Sequence, residues 1–83
     1  METPAKYSRE NLEKILSALG DEERFGLVLR AKGMLDSGEG EWLYFDYVPG
    51  ELEIRSGGAQ VTGRFCVIGS HINEHELAEL FGI

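Results

Sequence analysis

Eighty-three residues make one domain, and they carry 8 lysines and arginines against 15 aspartates and glutamates, a net charge of −7. A chain this acidic repels phosphate backbones and anionic lipid, which argues against nucleic-acid and membrane-surface partners. The 42% hydrophobic content is enough for a small core, and the single cysteine, Cys66, excludes an internal disulfide.

Small secreted domains usually need disulfide staples, so their absence points to a reducing compartment, with the cytoplasm expected. No apolar run near Met1 reads as a signal peptide, and none approaches the ~20 residues of a membrane span. Residues 1–6 read as a loose tail on a single domain covering 1–83.

Ser8 then looks like a helix N-cap. Leu12, Ile15, Leu16 and Leu19 recur at helical spacing, and Tyr7 with Leu12 has the spacing of a hydrophobic staple. The expected helix is 8–19, with Gly20 at the stop position. Asp21 to Arg24 reads as a charged connector. Phe25 to Met34 reads as a first strand, and Asp36-Ser37-Gly38-Glu39-Gly40 as a turn. Trp42 to Val48, rich in aromatics, is a second strand. Pro49-Gly50 suits the centre of a type II turn. Glu51 to Arg55 is a short third strand. Ser56 to Gly63 is a glycine-containing loop, and Arg64 to Gly69 is the last strand. Asn73 caps a second helix, with Leu77, Leu80 and Phe81 as its apolar stripe and Gly82 at C′.

The order α-β-β-β-β-α with short connections predicts an α+β fold. Its sheet is four-stranded and antiparallel in the order 3-2-1-4, with both helices on one face. With Leu27, Leu29, Leu43, Phe45, Phe65 and Val67 toward the helices, alternation puts Val28, Arg30, Lys32, Trp42, Tyr44, Arg64, Cys66 and Ile68 on the open face. Trp, Tyr and Arg together are residues that anchor interfaces. This face therefore reads as a docking surface, against the plainer reading of a solvated face with cationic stems lying over aromatic rings. In that plainer reading Arg30 and Lys32 pair with Glu41 or Asp46 across the neighbouring strand.

Candidate chemistry is sparse. His71 and His75, with Cys66, Glu74 and Glu76 nearby, are the candidate zinc ligands. The cap at Asn73, however, leaves His71 outside the helix, and the spacing lacks the tight pattern of a metal motif. Cys66 sits among apolar residues, where a free cysteine is commonly a small core hydrophobe. Nothing surrounds it with a base and an orienting group. No phosphate-binding G-x-x-x-x-G-K-[ST] occurs. No resident cofactor and no enzymatic activity are expected.

Leu29-Arg30-Ala31-Lys32-Gly33-Met34, followed by Gly40-Glu41-Trp42, resembles the paired strands of the CobW C-terminal domain. Arg64-Phe65-Cys66-Val67-Ile68-Gly69, followed by a short acidic helix, resembles that domain's closing strand and helix. The likeness covers roughly residues 10–81 and is carried by Arg30, Lys32, Gly33, Trp42, Arg64, Ile68 and Gly69. It implies an auxiliary module of P-loop GTPases that resemble metallochaperones and cobalamin-synthesis accessory proteins. The implied partner is such a GTPase domain. The partner-binding residues expected from the open-face reading are Arg30, Lys32, Trp42, Tyr44 and Arg64. The family's phosphate loop and cysteine metal motif have no counterpart here. Met34 stands where an aromatic is usual, and the strand that often opens the family domain is missing or reduced to the tail. A homodimer through the open face is a further expectation, because exposed apolar patches are often covered.

Overall fold

Three side chains start the three helices. In the computed structural model, which describes all 83 residues, Ser8 accepts from the Asn11 N–H, Asp21 from Arg24 and Asn73 from Glu76. Each satisfies an amide that the first turn of a helix leaves unpaired. The elements in chain order are β1 (Glu2–Thr3), α1 (Arg9–Ala18), α2 (Glu22–Phe25), β2 (Leu27–Asp36), β3 (Trp42–Val48), β4 (Glu51–Gly57), β5 (Gly63–Ser70) and α3 (Glu74–Phe81).

The charged connector is thus a helical turn, α2, that the sequence reading missed. Asp21 as N-cap, followed by Glu22 and Glu23 in the first turn, was the available signal. Phe25, expected to open a strand, ends that turn and is fully buried. At the far end Gly82 takes the left-handed conformation at φ 75°. The Ile83 N–H reaches the Ala78 carbonyl at 2.9 Å, the bond pattern of a glycine-capped helix end.

The fold is α+β with one antiparallel sheet, but the sheet has five strands and not four, in the order β1-β5-β2-β3-β4. The four expected strands keep their expected neighbours. The addition comes from the tail. Met1 donates its amine to the Phe65 carbonyl at 2.8 Å, and the Phe65 N–H returns to the Met1 carbonyl at 2.9 Å. Glu2 and Thr3 then pair with Arg64 and Gly63. Thr3 is buried, and its hydroxyl accepts from the Ala5 N–H. A two-residue strand is too short for period-two alternation to show, so pattern could not reveal it.

The helices cover one face. Leu12, Leu16 and Leu19 of the α1 region, Leu77 and Phe81 of α3, and Ala31, Leu35, Leu43, Phe45 and Phe65 of the sheet belong to one buried cluster. Phe65 and Phe81 stack with centroids 4.0 Å apart, and Tyr7 meets Phe81 edge-on at 6.4 Å. The expected inside residues of β3 and Phe65 of β5 are buried, but β2 departs from alternation. Leu27 and Leu29 are exposed and Val28 is buried. The β2–β5 register shifts between Val28 and Arg30. That bulge at Leu29 reverses which side the preceding residues face, while Arg30 and Lys32 keep the open side.

Gly33 shows why this pair of strands packs closely. A Cβ there would stand 2.3 Å from the Arg64 carbonyl oxygen and 2.6 Å from the Phe65 Cβ. Only a residue without a side chain lets β2 lie this near β5.

Candidate docking face

The register lays the open face out in rows. Arg64, Met34, Tyr44 and Arg55 form one row across β5, β2, β3 and β4, with Glu2 of β1 beyond Arg64. Cys66, Lys32, Asp46 and Glu53 form the next. Ile68 and Arg30 pair in the row after that. Four of the chain's 8 basic residues therefore stand on this face. No helix lies over them, because all three helices belong to the opposite layer.

Two of the four cations are held. Arg30 grips Asp46 through two bonds, Nε to Oδ1 at 3.3 Å and Nη2 to Oδ2 at 2.9 Å. The forked contact holds the Asp46 carboxyl below the usual carboxylate range, and Asp46 in turn raises the Arg30 guanidinium. Arg55 pairs with Glu53 at 2.7 Å. Lys32, directly opposite Asp46, makes no ion pair, and Arg64 makes none either. Lys32 and Arg64 flank a shallow depression of about 520 Å³ that includes Met34, Tyr44 and Cys66. The reading of Arg30 as internally paired is thus the observed one for that residue, whereas Lys32 and Arg64 remain free.

The aromatic residues do not stand out as exposed anchors. Trp42 is 8% exposed, and its cross-strand neighbours are Asp36 and Gly57. Alternation tells which side a ring starts from, not whether it lies flat, and this large ring is buried at the end of the sheet. Tyr44 is half-buried and committed locally. Its hydroxyl donates to the Gly58 carbonyl at 2.7 Å and accepts from Gln60 Nε2 at 2.9 Å. A Cβ on Gly57 would meet the Tyr44 ring at 2.4 Å, so the ring covers the glycine that ends β4. Cys66 is exposed, in keeping with its expected place on the open face and not with the plainer reading of a small core hydrophobe.

His71 and His75 are not brought together. His71 sits in the turn after β5 at φ 54°, its Nδ1 2.9 Å from the Ser70 hydroxyl. His75 lies on exposed α3, with Nε2 3.3 Å from Glu79 Oε1. The donors that do converge are those of His75, Glu76 and Glu79, within 4.8 Å of one another. Glu76 is already bonded to Arg24 at 2.7 Å. Exposed acidic groups a helical turn apart come this close without a metal, so the cluster reads as an ordinary helix surface. No helix in the chain is long and apolar enough to cross a membrane.

Comparison with known proteins narrows the reading. The family model of the cobalamin synthesis protein cobW C-terminal domain matches residues 1–82. The fold is similar to that of Zn(II)-bound YjiA GTPase from E. coli, with a TM-score of 0.78 at 22% identity over 99% of this chain. This chain spans 27% of that protein's length, and at that identity the likeness concerns the fold alone. No curated protein matches the chain.

Proposed function

The chain belongs to the family of the cobalamin synthesis protein cobW C-terminal domain, and from that premise we propose that it is a non-catalytic docking module for a protein partner. The proposed partner is a P-loop GTPase domain of the CobW type, engaged in metal or cobalamin cofactor delivery. Docking runs through the open sheet face. The observation that carries this reading is the pair Lys32 and Arg64, two cations without ion partners on a face that no other element covers. Surfaces of this kind, with apolar and charged groups interspersed, suit a polar and partly wet interface.

In this reading the five expected residues take different parts. Lys32 and Arg64 meet the partner directly. Arg30 holds both Asp46 oxygens, so Lys32, although opposite Asp46, forms no ion pair with it. Tyr44 fixes the loop after β4 through its hydroxyl, and Trp42 is a buried residue at the end of the sheet.

An amide NMR titration with a CobW-type GTPase domain, with and without GTP, tests the proposal. Shifts confined to residues 30–34, 44–46 and 64–66 are expected, larger in one nucleotide state than the other. Shifts clustered on α1 and α3 instead would overturn the face.

A further inference from the structure

The 8 basic side chains are not treated alike. Lys14, Arg24, Arg30 and Arg55 each hold a carboxylate, and Arg9 holds the Ile54 carbonyl. Lys6, Lys32 and Arg64 make neither an ion pair nor a side-chain hydrogen bond. Lys32 and Arg64, both exposed, flank the same depression of the open face. It lies within the sheet, between β5, β2 and β3, and not at an edge.

Acids stand near both cations, yet neither is bridged. Asp46 is directly opposite Lys32 on β3, but both its oxygens accept from Arg30. Glu53, opposite Asp46 on β4, accepts from Arg55. Glu2 is opposite Arg64 on β1 and forms no ion pair with it. In a chain with 15 carboxylates, two neighbouring cations without one mark a place where carboxylates come from outside.

The register fixes their spacing. Arg64 pairs with Met34 and Cys66 pairs with Lys32, so four side chains of β2 and β5 form a square. The cations occupy one diagonal, roughly 7–8 Å between Cα atoms. Met34 and Cys66 occupy the other, and their soft sulfur groups suit contact with methylene stems. Residues i and i+2 of an extended chain project from one side roughly 6.7 Å apart.

We propose that this square binds an extended acidic segment of the protein partner, with two carboxylates two residues apart, one on Lys32 and one on Arg64. The inference rests on the docking reading of this face and adds the chemistry of what docks. A nucleic-acid strand, charged at every residue, would meet the surrounding carboxylates as well. A short acidic segment meets the two cations alone.

The probe is a short peptide, capped at both ends, that carries Glu-Thr-Glu. The readout is Cys66, the chain's single cysteine and a corner of the square. Iodoacetamide is neutral and alkylates the thiolate with loss of iodide, so its rate reports access to the square. At about 5 mM the peptide should slow alkylation of wild type about fivefold, the occupancy given by a Kd of about 1 mM. A Gln-Thr-Gln peptide should not slow it. Nor should Glu-Thr-Glu slow it in Lys32→Gln/Arg64→Gln. Equal rates with and without Glu-Thr-Glu, or equal protection by Gln-Thr-Gln, would overturn the site.

Salt separates this inference from the docking reading. Affinity for a CobW-type GTPase domain should fall about fivefold between about 0.05 and 0.3 M salt, as exposed charges are screened. Amide shifts on the face with an affinity indifferent to salt would keep the docking reading and overturn the acidic segment. An unshifted face, with Glu-Thr-Glu still protecting Cys66, would overturn the GTPase domain as partner and uphold the acidic site.

Discussion

On the helix side of the sheet, Phe65 stacks against Phe81 and Tyr7 packs on the same ring, all sealed from water. On the open side, one residue earlier in the same strand, Arg64 stands beside Met34 in solvent with no partner. Neighbouring residues of β5 therefore do different work. The closed face supplies stability through apolar burial. The open face carries half the chain's cations and adds little to stability, because exposed ion pairs are worth little. Substitutions on the two sides should separate folding from binding.

The largest effect is expected from Phe65→Ala, which empties the stack on Phe81. Chemical denaturation should show a loss of about 3–5 kcal/mol. Trp42→Ala sharpens the comparison because Trp42 starts from the open side yet is buried. It should cost about 3 kcal/mol, the behaviour of a core residue. A stability unchanged by its removal would return Trp42 to the interface.

Tyr7→Phe is smaller. The Tyr7 hydroxyl donates to the Phe81 carbonyl, tying the start of the chain to its last helix. Losing that bond should cost about 1 kcal/mol. Burial also raises the Tyr7 hydroxyl above its ordinary value, with hydrogen bonding to Thr3 acting in the opposite sense. An acid whose folded value is raised contributes stability that is complete below its unfolded value near 10 and declines as pH rises through the folded value. Wild type should therefore lose stability above that pH more steeply than Tyr7→Phe, as thermal unfolding at several alkaline pH values would show.

Much of this contrast is legible in the sequence. Helix spacing gives α1 and α3 together with their caps. Turn residues give the β3–β4 hairpin, where Gly50 indeed has a positive φ of 87°. What escaped depends on other parts of the chain. The bulge at Leu29 is a mismatch between two strands whose paired residues there, Val28 with Gly69 and Arg30 with Ile68, lie 41 and 38 positions apart, and no pattern within β2 announces it. The pairing of Glu2–Thr3 rests on a contact with Phe65. The burial of Trp42 and the local commitment of Tyr44 depend on Gly57 and Gly58, which sequence reading saw only as loop. Arg30, Lys32 and Arg64 lie on the open side that alternation predicts, because the register past the bulge restores it. Their division into held and free cations needed the geometry of Asp46.

Arg30→Ala addresses that division with the smallest effect on folding. The Asp46 carboxyl, held low chiefly by its bond to Arg30, should titrate nearer its ordinary value in a carboxylate NMR titration. Any stability the pair adds is present above the unfolded value of the carboxyl and fades as pH falls through the folded one. At pH 7 the unfolding midpoint should hardly move, since both side chains are largely in solvent. The freed Asp46 would then neutralise Lys32, and binding to the partner should weaken although Arg30 itself makes no contact with it.

The most direct test of the docking account is calorimetric binding of a CobW-type GTPase domain to wild type and to the double variant Lys32→Glu/Arg64→Glu. The account predicts an unchanged unfolding midpoint for the double variant and a loss of affinity of at least about tenfold, equivalent to about 1.4 kcal/mol. Equal affinity of the two proteins, with the fold intact in both, would contradict the claim that this face is where the partner docks.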